Sequence, residues 1–407
     1  MISAGAQGID GGARRLAALV TVLALVTSGC AAPILANPPI TFPTPLPTTA
    51  APNHAPDPIP VTFPLDDGPH HRLTEWWYYT GHLHTETGRR FGFEAVVFRA
   101  ERGTVPPAWA AHLALTDEQG QAFHYAQRSE IGTQVDRSPL GSRGTPTGFD
   151  LQVGGLSPAL IAAGAPASAA PWRLAGANGT DQLEAALAPD EAAAAGAAFG
   201  LHLDLDSTKP AALHDGDGFV DFGPGGSSYY YSRTRMAATG TVELNGQQLS
   251  VDGIAWFDHQ WGDFVSVGGG WNWFAVNLDD GTDLTFSVVF GAPGQDALQH
   301  GTVVEPDGSV RHLDGASFEI RATDAWASPR ADRLYPTNWF ITIPDFRSGQ
   351  RLLIELTPTV DDQELDARAT TGVIYWEGSQ RVRATIGEID STTLVGEAYV
   401  ELTRYGP

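Results

Sequence analysis

Val242-Glu243-Leu244-Asn245-Gly246-Gln247-Gln248-Leu249 reads as two short alternating runs joined by an Asn-Gly pair. Asn and Gly tolerate the positive φ values of a primed turn, so the stretch predicts a β-hairpin with a two-residue loop. Asp280-Gly281 and Asp307-Gly308 repeat the signal further along the chain. Working outward, runs rich in Val, Phe, Tyr, Trp and Thr recur at Phe91 to Phe98, Ala110 to Thr116, Trp271 to Leu278, Leu284 to Phe290, Trp339 to Ile343, Leu352 to Leu356 and Tyr399 to Thr403. No long helical pattern separates them, and the expected class is all-β, sandwich or barrel. One stretch breaks the rhythm, from about Leu156 to Gly200, where Ala, Gly and Pro dominate. It reads either as a mobile surface insertion or as one short helix over Asp190 to Ala198.

The N-terminus stands apart from the fold. Arg14-Arg15 precede an apolar run from Leu16 to Val26 that ends in Thr27-Ser28-Gly29-Cys30, the pattern of a secretory signal. The run falls short of the ~20 apolar residues a lasting transmembrane helix needs. Small residues before the chain's one cysteine predict lipoprotein processing over residues 1–30, with Cys30 as the lipidated N-terminus; a plain signal peptide is the other reading. Both readings place the protein outside the cytoplasm, on the periplasmic side or the cell surface. A single cysteine permits no internal disulfide, so the exported part depends on its core. Residues 31–60 hold ten prolines and read as an extended spacer.

A formal net charge of −23 and a pI near 4.7 exclude nucleic acid and anionic lipid headgroups as natural partners, since all carry the same sign. The sequence has no Gly-x-Ser-x-Gly elbow, phosphate loop, dinucleotide fingerprint or His-Glu-x-x-His. His82, His84 and His112 are scattered, and no metal site is expected from them.

Two segments carry the chemistry. Trp256-Phe257-Asp258-His259-Gln260-Trp261-Gly262 and Glu75-Trp76-Trp77-Tyr78 set ionisable groups among large rings, as an apolar pocket with one reactive polar group would. Alternation along a strand puts His259 and Trp261 on one face and Trp256, Asp258 and Gln260 on the other. A donor beside an aromatic wall favours the face of His259 and Trp261 for catalysis, with Asp258 orienting from behind or from a domain interface. Glu75 reads as a structural acceptor, and Tyr229, Tyr230 and Tyr231 put two phenols on one face and one on the other.

The ordered series Glu75 to Leu83, Lys209-Pro210 with Leu213 and the glycines to Gly226, Ser228 to Ser232, Trp256 to Gly262, Tyr375 to Gly378 and Tyr399 to Leu402 resembles the AttH-like family, which includes the bacterial carotenoid 1,2-hydratases. The resemblance runs from about Val61 to the C-terminus. It implies two antiparallel lipocalin-like β-barrels packed together, placed at 61–238 and 239–407. Many members are labelled only as secreted hydrolases, so the family speaks more clearly of fold than of reaction.

The hydratase members, as the resemblance implies, add water across the terminal double bond of an acyclic carotenoid without a cofactor. An acid must protonate the alkene, and aromatic faces must stabilise the resulting tertiary cation. Here His259 and Asp258 are the catalytic candidates. Trp261, Trp256, Trp77, Trp271, Trp273 and Tyr230 are the candidate substrate wall, with Glu75 and Gln260 supporting them. The expected partner is an isoprenoid or other long apolar molecule, bound by a monomer. Carriage of such a ligand without chemistry is the main rival, and an isomerase or cyclase-like pocket for polyenes is a third reading.

Overall fold

The computed structural model describes residues 57–154, 170–264, 270–291, 297–388 and 391–403. The signal segment, Cys30 and most of the spacer lie outside the described residues.

Among the described residues, twenty-two strands form two antiparallel sheets. The first begins with β1 (Thr74–His84), β2 (Arg90–Ala100), β3 (Ala108–Asp117) and β4 (Ala122–Ile131). It continues with β5 (Phe149–Val153), β6 (Trp172–Ala177), β7 (Thr180–Ala186) and β8 (Phe199–Ser207). It closes with β11 (Gly226–Leu244) and β12 (Gln247–Phe264), while the short β9 (Ala212–Leu213) and β10 (Phe219–Asp221) lie on β11. The spatial order is β4-β3-β2-β1-β12-β11-β8-β7-β6-β5. The sheet curls until β5 returns towards β3 and β4, a nearly closed barrel.

The second sheet, a half-barrel, opens with β13 (Trp271–Leu278), β14 (Asp283–Val289), β15 (Leu298–Val304) and β16 (Val310–Asp314). After them come β17 (Glu319–Ala327), β18 (Leu334–Arg347), β19 (Gln350–Pro358), β20 (Glu364–Asp366), β21 (Ile374–Ile386) and β22 (Thr392–Leu402). Their order is β16-β15-β14-β13-β22-β21-β19-β18-β17, with β20 on β21.

The predicted Asn-Gly hairpin joins β11 to β12 with Leu244 opposite Gln247, and Asn245 and Gly246 take φ of 51° and 80°. One expectation changes, and of two open readings one is met by a helix. The division at 238/239 falls inside β11, and β12 pairs between β1 and β11, so the first sheet runs to Phe264 and the second starts at Trp271. The stretch from 156 to 200, so far as it is described, is built into the barrel as β6 and β7, followed by a short helix, α1 (Pro189–Ala195). Its alternating Leu174, Leu183 and Ala185 supply the inward face, a period that the alanine background hides.

Both faces of the central strands are covered. Along β1, Trp77, Tyr79 and Leu83 pack inside the barrel, while Tyr78 joins Val96, Trp256, Trp273, Ala275 and Tyr399 in a layer between the two sheets. The sheets come close enough that a Cβ at Gly92 would lie 2.7 Å from Ser379 Cβ. Polar ties cross the same layer: the Tyr78 hydroxyl donates to Glu377 at 2.7 Å, Thr116 to Gln363 at 2.8 Å, and Lys209 pairs with Asp283 at 2.7 Å.

Candidate active site

Strand parity places the site. Residues of β1, β2, β11 and β12 that point away from the barrel core face β13, β14, β15 and β22 of the second sheet, and between them lies a cavity of about 410 Å³. Trp76, Tyr78, Phe98, Tyr230, Trp271 and Trp273 give it aromatic walls; Glu94, Asp258, Gln260, His300 and Glu401 add the polar groups. Trp76 stacks near Trp271 with ring centroids 6.3 Å apart, and Tyr78 meets Trp273 edge-on at 5.3 Å. Such sites are mostly apolar with a few placed polar groups, at volumes of roughly 300–1,000 Å³.

The carboxyl groups are in apolar surroundings, and burial acts on each. Burial pushes Asp258 up to about 6, against hydrogen bonds from Ser232, Tyr230 and Trp256 that favour its charged form. Tyr230 Oη donates to Oδ2 at 2.6 Å, Trp256 Nε1 to Oδ1 at 2.6 Å, and the Ser232 hydroxyl also to Oδ1. Glu94 is pushed up to about 8 by burial, with Glu401 adding to the shift, and the Tyr375 hydroxyl lies 2.9 Å from its Oε1. Glu401 rises to about 7, again by burial and opposed by the indole N–H of Trp271, which donates at 2.8 Å. Glu377, opposite Glu401 on the neighbouring strand, is held well above the usual carboxylate range by burial and by Glu94 and Glu401. The cavity therefore combines cation-stabilising rings with carboxyls that titrate near neutrality, an arrangement suited to giving and taking protons.

A sequence model of the family described as AttH-like matches residues 54–405. The chain belongs to the AttH-like family. The crystal structure of an AttH protein from Nitrosomonas europaea is similar at 27% identity and a TM-score of 0.65, covering 88% of this chain and 99% of that one. The fold is also that of kievitone hydratase from Nectria haematococca, at 17% identity and a TM-score of 0.59, covering 89% of this chain and 98% of that one. No protein of curated function matches the sequence.

Within this AttH-like frame the sequence-derived candidates divide by face. Asp258, Gln260, Tyr230, Trp271 and Trp273 line the cavity; Trp256 lies on the same side, its N–H held by Asp258. His259, Trp261 and Trp77 lie on the opposite face, inside the barrel, so the expectation that His259 and Trp261 form the catalytic face is corrected. The cause is register: Ser232 is paired with Asp258 and Tyr231 with His259, and Tyr231 points into the core. His259 Nε2 lies 3.1 Å from Glu75 Oε1, and the ring stacks on Trp77 at 4.6 Å. Burial lowers its pKa, keeping the imidazole neutral. Glu75 also accepts from the backbone N–H of His70 at 3.0 Å and lies 2.8 Å from His70 Nδ1; for all its burial it is lowered to about 2, because His70 and His259 offset that burial. Ligand-capable atoms of His70, Glu75 and His259 lie within 4.8 Å of one another, the one such group among the described residues. Each is already hydrogen-bonded within the trio, and Arg99 stands 3.6 Å from Glu75.

Two further acids line the cavity that the sequence motifs do not single out as site residues, Glu94 from β2 and Glu401 from β22. The available signal was a lone acid in an apolar strand, as in Phe91-Gly92-Phe93-Glu94-Ala95-Val96-Val97, where a solvent-facing face would carry several polar residues.

These shifts set a stability profile. Glu94, Glu401 and Asp258 bind protons more tightly folded than unfolded, so their contribution is complete at acid pH and is lost as pH rises through about 6 to 8. His82, His112 and His300, lowered by burial to about 4, 3 and 4, contribute above their ordinary value of 6.5 and lose that contribution as pH falls. Between about 4.5 and 6.5 the two sets oppose; above 6.5 the carboxyls act without the histidines against them. Calorimetry should show Tm falling from pH 6.5 to pH 8, with a shallower fall in Glu94→Gln.

Proposed function

We propose that this AttH-like protein is a hydratase-type lyase that adds water across a carbon–carbon double bond of an isoprenoid or similar apolar molecule, working in the cavity between its two sheets. The observation that carries the reading is the set of carboxyls, Asp258 and Glu94 buried and Glu401 half-buried, facing the same aromatic walls. Protonating an unactivated alkene needs an acid that is still protonated near neutral pH, and the cation that follows needs π-faces. Trp76, Trp271, Trp273 and Tyr78 supply those faces. A plain carrier would gain nothing from burying acids at this cost, since apolar side chains would hold the ligand as well. The shared fold with kievitone hydratase supports the reaction type.

The proposal includes an exported, lipid-anchored monomer with Cys30 as the anchor, residues 31–60 as spacer, water as co-substrate and no cofactor. The substrate meets it on the extracytoplasmic side. A cavity of about 410 Å³ suits the reactive end of a long chain better than its whole length.

The test is incubation of the full chain with acyclic carotenoids and simpler polyprenyls in heavy-oxygen water, followed by mass spectrometry. Labelled tertiary alcohol is the expected product, and a folded His259→Ala variant should keep its turnover per molecule. Ligand bound and recovered unchanged would overturn the enzyme reading in favour of carriage.

A further inference from the structure

Hydrogen-bond counting distinguishes the two principal carboxyls of the cavity. Behind Glu94 runs a chain through Tyr375, His112 and Thr370 to Gln127, with separations of 2.9, 2.6, 2.9 and 2.7 Å. Gln127 Nε2 donates to the Asp366 carbonyl at 2.7 Å, which makes Gln127 Oε1 the acceptor at the far end. The single Thr370 hydroxyl proton has only oxygen acceptors in front of it, Gln127 Oε1 and the Ala367 carbonyl at 3.3 Å. Thr370 must therefore accept from His112 Nε2–H. His112 is fully buried, and burial lowers it to about 3, so the ring is neutral and Nδ1 is an acceptor. Tyr375 gives its proton to that Nδ1. Its oxygen is then left to accept, and the donor facing it is the carboxylic O–H of Glu94. The other Glu94 oxygen, Oε2, is buried and has no hydrogen-bond partner among the described residues.

Asp258 gives the opposite count. The indole N–H of Trp256 can only donate. His214 Nδ1 lies 2.9 Å from Thr302 Oγ1 and Nε2 lies 2.7 Å from Ser232 Oγ. In the tautomer that carries its proton on Nε2, the neutral His214, its pKa driven down by burial, accepts from Thr302 and donates to Ser232, which leaves the Ser232 hydroxyl to donate to Asp258. Tyr230 accepts from Trp273 Nε1 at 3.1 Å and donates to Asp258 Oδ2. Three donors converge on one group, and that is the environment of a carboxylate.

We infer that, of these two carboxyls, Glu94 holds a proton and Asp258 a negative charge in the resting cavity, which makes Glu94 the acid and Asp258 the base of the reaction proposed above. The inference rests on that reading for its roles and on the hydrogen-bond count for the protonation. Rotation about the terminal torsion of Glu94, broad and two-fold for a carboxyl, turns the O–H into the cavity. The alkene π pair takes this proton, forming a C–H bond as the Glu94 O–H breaks. Water attacks the tertiary cation through an oxygen lone pair, and as the C–O bond forms, one O–H bond of that water breaks and its proton goes to Asp258. The product is the neutral alcohol. Glu94 is left ionised and Asp258 protonated, and exchange with solvent after release resets both with no net proton consumed. Two acids in environments that separate their proton affinities are the usual basis for such a division of roles.

Infrared difference spectroscopy of the full chain at pH 7 tests this assignment without a substrate. Glu94→Gln should remove a protonated-carboxyl C=O absorption and leave the carboxylate bands; Asp258→Asn should do the reverse. Tyr375→Phe, which keeps the carboxyl but removes its partner, should shift the same acid absorption without abolishing it. With a polyprenyl that the native protein hydrates, Glu94→Gln should lose about 10²-fold or more in kcat at pH 7. An acid absorption that survives Glu94→Gln and disappears in Asp258→Asn would overturn the assignment. If the native protein hydrates nothing, the hydratase reading fails, while the infrared result still decides where the proton sits.

Discussion

Asp258→Asn is expected to lower hydration by about 10²–10⁴-fold, the usual worth of a positioned general acid or base, in a protein that folds normally. The substitution is gentle in shape. The amide oxygen can take the place of Oδ1 and keep the hydrogen bonds from Ser232 and Trp256. The amide NH₂ then faces Tyr230, whose hydroxyl, already accepting from Trp273, turns its proton elsewhere. What is lost is the capacity to take a proton from the attacking water. Because the walls that hold an apolar substrate are Trp76, Tyr78, Phe98, Trp271 and Trp273, KM should change little and the loss should fall on kcat. Steady-state kinetics on whichever polyprenyl yields alcohol makes the measurement. A variant that kept most of its kcat would reduce Asp258 to a group that positions Tyr230 and Trp256.

How far the site was legible in the sequence is decided by these same residues. The hairpin at Asn245-Gly246 and the parity of Asp258 against His259 follow from local rules and hold in the structure. Which of the two faces met the cavity did not follow, because parity needs one face to be solvent. Here β1 along nearly its whole length and β12 from Ala255 to Gly262 are buried on both sides, one face by the barrel and the other by the second sheet. The aromatic residues that mark a pocket occur on both faces for the same reason, so Trp77 and Trp261 looked as much like a substrate wall as Trp271 and Trp273. Glu94 escaped notice because its partners, Tyr375 and, through it, His112, come from β21 and β3. Long-range pairing of this kind leaves no local pattern. The boundary between the sheets was misplaced because β11 and β12 are 19 and 18 residues long, and their shared turn resembles an ordinary start to a new domain.

The largest loss of stability is expected from Asp67→Ala, inside the barrel and away from the cavity. Asp67 is fully buried and accepts from the Tyr231 hydroxyl at 2.6 Å, from Arg233 at 2.7 Å and from the backbone N–H of Asn178 at 2.8 Å. Arg233 is 3% exposed and surrounded by the rings of Phe63, Tyr231 and Phe257, none of which can replace a carboxylate. Its other acidic neighbour, Asp181, is raised by burial to about 7 and accepts from Tyr79, so it is only partly charged at neutral pH. Removing one partner of a buried ion pair costs about 3–5 kcal/mol, because the charge that remains is uncompensated. Denaturant unfolding should show that loss in Asp67→Ala, and the double variant Asp67→Ala, Arg233→Met should regain much of it, since the stranded charge is then gone. A small loss in the single variant would mean that Asp181 ionises and takes over as counter-ion, in which case the loss should shrink further as pH rises past 7. Hydration per folded molecule should be unchanged in both variants. Asp67, Tyr231 and Arg233, like His259 beside them, belong to the polar column that fixes the barrel, and the proton chemistry proposed for the cavity is assigned to the strand face behind it.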